Sequence, residues 1–154
     1  MTTDVFNTPF EVSLRILLTL EVAAGKGMSA DMIAAADFIT AYGRDFGIAD
    51  GNLHGDNNYK FGEFALRREM VKEGVKSLVL GALINAESTA KGFIYTINQR
   101  GIDYTAKFDN EYAFCYRAFS EKTLAYLSGL TEREAFRRIN ESSLLSLQRG
   151  DMNG

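Results

Sequence analysis

Apolar residues recur every three or four positions over most of this chain, which predicts a mainly helical protein. The first predicted helix includes Pro9 in its first turn and ends before Gly25. The second follows Ser29, a residue that favours helix N-caps, and ends at Gly43. The positions expected to face the core are Phe10, Leu14, Leu17 and Leu18 in the first helix and Met32, Ala36 and Ile39 in the second.

A third helix is predicted from Glu63 to Leu80, with Gly81 in the left-handed conformation that often follows a helix end. Strand-forming residues then occupy 83–88 and 93–97, separated by a turn at 89–92, which predicts a hairpin. Asn98 opens another helical segment. The residues expected on the buried stripe of the third helix are Val71, Val75, Leu78 and Val79.

Three helices followed by a hairpin match the winged helix-turn-helix order, so the predicted fold class is mainly α and winged helix-turn-helix-like, with the hairpin as wing. Residues 1–108 are expected to form the winged-helix-like domain and 109–149 a C-terminal helical extension of the same domain. Thr131 and Glu134 form a capping box at the start of the last helix, and 150–154 is expected to be a frayed tail.

Residues 43–60 interrupt the helical pattern with glycines and the turn formers Asp and Asn. We expect a long ordered loop here, anchored to the body by Phe46, Ile48, Leu53 and Tyr59. Ordered loops of this length often carry function, although a polar insertion is the alternative.

Composition places the chain among single-domain soluble proteins, with 154 residues, 46% hydrophobic residues and a net charge of −3. The acidic balance does not favour general nucleic-acid binding. The charge is unevenly distributed along the chain. Residues 1–60 include four basic and eight acidic residues, whereas residues 61–154 include thirteen basic and twelve acidic residues. No apolar run is long enough to cross a bilayer, the first residues lack the charge of a secretory signal, and Cys115 has no partner, so we expect a cytoplasmic protein.

Residues suited to catalysis or metal binding are sparse. One histidine, His54, and one cysteine, Cys115, cannot supply a structural zinc site, and neither lies in a nucleophile motif. The Asp- and Asn-rich stretch around Asp50 and Asp56 lacks the ligand order of an EF-hand, and no phosphate-binding loop is present. We therefore predict neither an enzyme, nor a cofactor, nor a metal site.

Basic residues on the third helix and the wing define an alternative nucleic-acid-binding surface. The helix interleaves its cations with Glu63, Glu69 and Glu73 at spacings that favour ion pairs along its surface. Few cations are then free for phosphates, which dominate DNA affinity. The candidate nucleic-acid contacts are Arg67, Arg68, Lys72, Lys76, Lys91 and Arg100.

Three stretches resemble the small middle component of bacterial three-component ABC systems, the group that includes Lamassu-type anti-phage and anti-plasmid systems. They begin at Asn7-Thr8-Pro9-Phe10, at Leu53-His54-Gly55-Asp56-Asn57 and at Arg67-Arg68-Glu69. The resemblance covers 7–108, and Gly55 stands where the family pattern has proline.

The resemblance implies an adaptor without chemistry of its own, which binds an SMC-like or Rad50-like ABC ATPase and connects it to an effector, often a nuclease. ATP, magnesium and DNA-end recognition would belong to the ATPase. The helix from Phe10 to Leu18 would be scaffold, although its apolar residues could simply be core. The expected partner-binding residues are His54, Asp56, Asn57, Tyr59, Phe61, Arg67 and Arg68. The alternative to partner binding is a structural role for these residues. His54 would then cap a turn, and Arg67 and Arg68 would be solvated or ion-paired.

Two functional hypotheses therefore follow from the sequence. The first is the non-enzymatic adaptor, which predicts association with a large ATPase and weak or indirect DNA contact. The second is a winged-helix DNA-binding transcriptional regulator, which predicts salt-sensitive binding to an operator.

Overall fold

The computed structural model describes residues 7–53 and 62–153, with side chains as far as Leu145. Within these residues the chain forms six α-helices, a short 3₁₀ helix and one antiparallel hairpin. The elements are α1 Pro9–Val22, α2 Ala30–Ala41, the 3₁₀ helix Gly43–Phe46, α3 Glu63–Leu80, β1 Ile84–Thr89, β2 Gly92–Ile97, α4 Gln99–Thr105, α5 Glu111–Leu127 and α6 Glu132–Asn153.

Short polar side chains begin most of these helices, as the sequence indicates. Thr8 accepts a hydrogen bond from the Glu11 N–H, and Ser29 accepts one from the Met32 N–H. Asn98 and Asn110 cap α4 and α5 in the same way. Each cap satisfies a backbone donor that the first helical turn leaves without an intrahelical partner.

The capping box of α6 is confirmed. Thr131 Oγ1 accepts from the Glu134 N–H at 3.1 Å, while the Glu134 carboxylate accepts from the Thr131 N–H at 3.0 Å. The hydrogen bonds that the Glu134 carboxylate accepts from the N–H and the hydroxyl of Thr131 lower the pKa of Glu134, because they favour its charged form. The helix then continues to Asn153.

The central element is α2, in which every residue from Ile33 to Ala41 is buried. It packs against α1, α3, α5 and α6. The C-terminal helices therefore complete the same core as the first three helices. We expected α2 to bury only the face that carries Met32, Ala36 and Ile39. Instead, the helix is buried on all sides from Ile33 to Ala41.

The hairpin packs beside this helical core as the wing of a winged-helix-like fold. β1 and β2 pair in register from Ile84 opposite Ile97 to Thr89 opposite Gly92. Met28, between α1 and α2, adds a bridge to Tyr95 on the other side of β2, with backbone hydrogen bonds of 3.1 and 2.8 Å. The predicted fold class is thus confirmed, and the bridge ties the wing to the α1–α2 connection.

Helix α3 ends at Leu80 as predicted, but the left-handed residue after it lies one position later than expected. Gly81 keeps a right-handed conformation at φ −78°, and Ala82 takes the left-handed one at φ 61°. The Leu83 N–H donates to Leu78 O and the Ala82 N–H to Val79 O, which is the Schellman arrangement with Ala82 at its left-handed position.

Two expectations about burial and one about the loop also need correction. Phe10 was expected in the core but is 52% exposed, with its ring 5.9 Å from that of Phe108. Val79 is half-buried, although its neighbours Val75 and Leu78 are buried as predicted. The first part of the expected loop is the 3₁₀ helix Gly43–Phe46, because backbone bonds such as Gly47 N–H to Arg44 O close its turns.

Candidate partner interface

A buried ionic network joins four helices at the centre of the molecule. Asp37 on α2 accepts hydrogen bonds from Arg15 Nε on α1 at 2.8 Å and from Arg67 Nη1 on α3 at 2.7 Å. The hydroxyl of Tyr116 on α5 donates to the same carboxylate at 2.6 Å. A buried carboxylate with three such donors fixes the relative positions of the helices that supply them.

The electrostatics of the network favour its charged form. Burial alone would raise the pKa of Asp37, but the charges of Arg15 and Arg67 outweigh it and hold that pKa well below its ordinary value. Burial, reinforced by Asp37, raises the pKa of Tyr116 well above its ordinary value. Burial also raises the pKa of Tyr112 to about 12. Asp37 is therefore ionised and both phenols are neutral near pH 7.

Arg67 belongs to this interior network. Its side chain is only 1% exposed, which corrects the expectation that it contributes to a surface. It also pairs with Glu63 at 3.2 Å, and its guanidinium lies 5.7 Å from the centre of the Phe38 ring. Burial alone would lower the pKa of Arg67, but the attraction of Asp37 outweighs it and the pKa is raised.

Arg68 lies at the surface but is already engaged. Its guanidinium donates two hydrogen bonds to the Asp31 carboxylate, at 3.0 and 3.1 Å, and stacks 4.8 Å from the Phe136 ring centre. The hydrogen bond with Asp31 is the main cause of its raised pKa. This residue thus connects α3 to α2 and α6, while part of its side chain remains accessible.

The other basic candidates form no continuous positive surface along α3. Lys72 pairs with Glu69 at 3.4 Å and Lys76 with Glu73 at 3.5 Å, as the helical spacing predicts. Lys91 in the hairpin turn and Arg100 at the start of α4 are exposed. Carboxylates therefore accompany both lysines on the helix that winged-helix proteins usually present to DNA.

An apolar groove opens between the end of α3 and the hairpin. It has a volume of about 340 Å³, and Leu80 and Phe93 at its margins are 88% and 58% exposed. A contiguous patch of exposed apolar side chains is typical of a protein contact surface, whereas single ones are common on any protein. The groove is lined by Val75, Lys76, Val79, Leu80, Ala86, Phe93 and Tyr95.

Comparison with protein families shows the family to which the chain belongs. The family model described as ABC-three component (ABC-3C) system Middle Component 2 matches residues 5–149. The chain belongs to this family. Searches of curated proteins and of solved structures found no significant match. The predicted resemblance to a middle component of a three-component ABC system is thereby confirmed.

The loop residues proposed for partner binding in this middle component, His54, Asp56, Asn57, Tyr59 and Phe61, lie outside the described residues. Both flanks are described. Leu53 packs against the cluster formed by Leu14, Leu18, Ala113 and Tyr116. On the other side, Glu63 accepts a hydrogen bond from Tyr42 at 2.6 Å. Phe46 and Ile48 also pack against the core, as expected.

Sequence reasoning did not assign a role to Arg15, Asp37 or Tyr116 in the middle component. A signal was present, because Arg15 lies within Leu14-Arg15-Ile16-Leu17 and Asp37 within Ala36-Asp37-Phe38, where charged residues interrupt apolar runs. Charges at such positions are rarely buried without a partner. The groove residues Leu80 and Phe93 were assigned only to a helix and a strand.

Two negative findings concern the described part of the middle component. No group of three or more His, Cys, Asp or Glu residues there has the geometry to hold a metal ion. None of its described helices is sufficiently long and apolar for a transmembrane span.

Proposed function

We propose that this middle component is a non-enzymatic cytoplasmic adaptor. It joins an SMC-like or Rad50-like ABC ATPase to an effector nuclease in a Lamassu-like complex that acts against phage or plasmids. The observation that carries the proposal is the family match over 5–149, since a middle component acts with the other members of its system.

The distribution of polar groups supports a binding role over a catalytic one. Arg15, Asp37 and Tyr116, whose pKa values are strongly perturbed, are engaged with one another inside the core. Perturbed groups at an active site would instead converge on a cleft that substrate can enter. The groove between α3 and the hairpin is apolar, which suits protein contact.

Purification of the complex tests this proposal. The tagged chain is purified at moderate salt from its native host after nuclease treatment, and the retained proteins are identified and quantified. We expect an ABC ATPase and an effector in fixed proportion to the tagged chain. Recovery of the chain alone from cells that contain the other two components would contradict the adaptor function.

Activity measurements test the non-enzymatic part. The isolated chain is expected to hydrolyse neither ATP nor DNA, whereas the assembled complex hydrolyses ATP and loses effector activity when the chain is omitted. ATP or DNA hydrolysis by the isolated chain, freed of the ATPase and effector, would show that the adaptor has chemistry of its own.

A DNA-binding transcriptional regulator is the second candidate, because the Met28 bridge and the hairpin complete a winged-helix arrangement. Charge reversal of Arg67 would not test it cleanly, since Arg67 is buried. Lys91→Glu and Arg100→Glu are better tests of DNA binding, because both residues are exposed. A regulator should lose affinity for duplex DNA in both variants, with a shallower salt dependence. The adaptor should retain its partners.

A further inference from the structure

Within the part of the chain that the structure describes, the hairpin leaves one of its edges open. β2 has β1 on one side and the Met28 bridge on the other. The outer side of β1 pairs with no strand among residues 7–53 and 62–153. An open edge presents backbone donors and acceptors that an extended chain can pair with.

The register identifies which backbone groups face outward. Thr89 and Gly92 flank a two-residue turn and form a hydrogen-bonded pair, so such pairs alternate along the ladder. Ala86 and Ser88 lie at the intervening positions and direct their N–H and C=O groups away from β2. The same alternation explains why Tyr95, opposite Ala86, bonds outward to Met28.

The apolar groove lies under the face of this open edge. Ala86, Phe93 and Tyr95 share that face, because pairing places Ala86 opposite Tyr95 and Ser88 opposite Phe93. Val79 and Leu80 of α3 form the opposite wall. A strand added beside β1 would therefore direct every second side chain towards an apolar surface.

Charge restricts the chemistry of the added strand. Lys76 lines the groove, and Lys91 occupies the turn at the tip of the hairpin. Glu87 projects from the other face of β1, because it alternates with Ala86 and Ser88. The groove lining thus contains one cation and no carboxylate, although Glu73 pairs with Lys76 at 3.5 Å from outside the lining. Lys91 adds an exposed cation at the tip. These charges complement an apolar segment that carries an acidic residue.

We propose that an extended segment of another component of the system binds here as an additional strand beside β1. It would place apolar side chains at alternate positions in the groove and at least one carboxylate near Lys76 or Lys91. Backbone pairing would supply affinity, and the groove would select the sequence. The inference rests on the proposed adaptor function, since that function supplies the partner.

Short overlapping peptides that cover the sequences of the other two components serve as probes of the full chain. Binding is measured by fluorescence anisotropy, and amide hydrogen exchange is measured with and without the bound peptide. Ala86→Pro removes an outward N–H without removing a β1–β2 hydrogen bond, since proline is tolerated at such edge positions. Phe93→Ser changes the groove instead. Phe114→Ser, at 71% exposure on α5, is the matched control.

We expect one apolar, acidic peptide to bind and to slow exchange at the amides of Ala86 and Ser88. Ala86→Pro and Phe93→Ser should each weaken binding about tenfold or more, and Phe114→Ser should leave it unchanged. If Ala86→Pro fails to fold, two measurements still test the inference. They are peptide binding by Phe93→Ser and amide hydrogen exchange of the unmodified chain with and without peptide.

Three results would overturn the inference. The first is peptide binding that depends on Phe93 but does not slow amide exchange at Ala86 or Ser88. This is the result expected if the peptide binds in the groove as a helix. The second is self-association that Ala86→Pro abolishes, which would assign the edge to a second copy. The third is no peptide binding while the intact complex still purifies, which would leave the adaptor function standing. Peptide binding without an intact complex would instead contradict the adaptor function.

Discussion

Arg67 of α3 and Asp37 of α2 meet across 2.7 Å, and their side chains are 1% and 3% exposed. The contact joins residues that lie 30 positions apart on either side of the segment 54–61. Arg15 approaches the same carboxylate from α1. The orientation of the helix that borders the groove therefore depends on a charge in the interior.

Replacement of this charge should be costly. Asp37→Asn removes the buried anion that Arg15 and Arg67 share and leaves Arg67 only the partly exposed Glu63, so we expect the free energy of unfolding to fall by about 3–5 kcal/mol. Urea denaturation measures the change. The matched control is Asp31→Asn, which breaks the partly exposed pair with Arg68 and should cost no more than about 1 kcal/mol. Similar losses in both variants would contradict the central role of the network.

The same carboxylate should shape the response to acid. The pKa of Asp37 is lower in the folded chain than in the unfolded chain, so its stabilising contribution is complete above the unfolded pKa of about 4. That contribution is lost as the pH falls below this value towards the folded pKa. The stability difference between the unmodified chain and Asp37→Asn should therefore shrink below about pH 4. Urea titrations at several pH values measure it, and a constant difference would be inconsistent with the lowered pKa.

The end of α3 offers a stabilising substitution. Ala82 has φ 61°, a conformation that costs an L-residue roughly 1 kcal/mol and costs glycine little. Ala82→Gly should therefore raise the Tm by about 2–4 °C. Calorimetry measures the shift. Ala106→Gly is the control, because Ala106 follows α4 in a right-handed conformation and should gain nothing from glycine. Equal effects at both sites would show that the backbone of Ala82 is not the cause.

Close packing at the base of the hairpin gives another prediction. A Cβ at Gly101 would lie 2.3 Å from the backbone oxygen of Leu83, so Gly101→Ala must displace α4 or β1. We expect a loss of about 1–3 kcal/mol in unfolding free energy, although alanine favours helix formation. At Gly74 the nearest obstacle is the terminal methyl of Ile16, a side-chain atom that can move.

Gly74→Ala is accordingly the comparison for Gly101→Ala. Chemical denaturation of the two variants should show a smaller loss for Gly74→Ala. A larger loss at Gly74 would mean that Ile16 is held more rigidly than the backbone around Leu83.

Local signals accounted for much of the fold. The bounds of α3, the hairpin, the N-cap Ser29 and the capping box at Thr131 follow from residues within one or two turns of each other. The end of α3 shows the limit of such signals. Gly81 is the residue that best tolerates a left-handed conformation, but the backbone bonds place the turn at Ala82.

The candidate site depended more on contacts that sequence spacing does not reveal. The pair between Glu63 and Arg67 follows from helical spacing, and the structure confirms it. The partner that buries Arg67 is Asp37, on a different helix, so a surface role was expected instead. Helical spacing likewise indicates neither the groove nor the open edge of β1, since both require the position of the hairpin against α3.

The two flanks of the segment 54–61 are held by the interior of the protein. Leu53 packs against the cluster that includes Tyr116, and Glu63 bonds to Tyr42 and Arg67, so both flanks contact residues that hold or adjoin the Asp37 carboxylate. The separation that residues 54–61 have to span is therefore set by charged and aromatic side chains of the core.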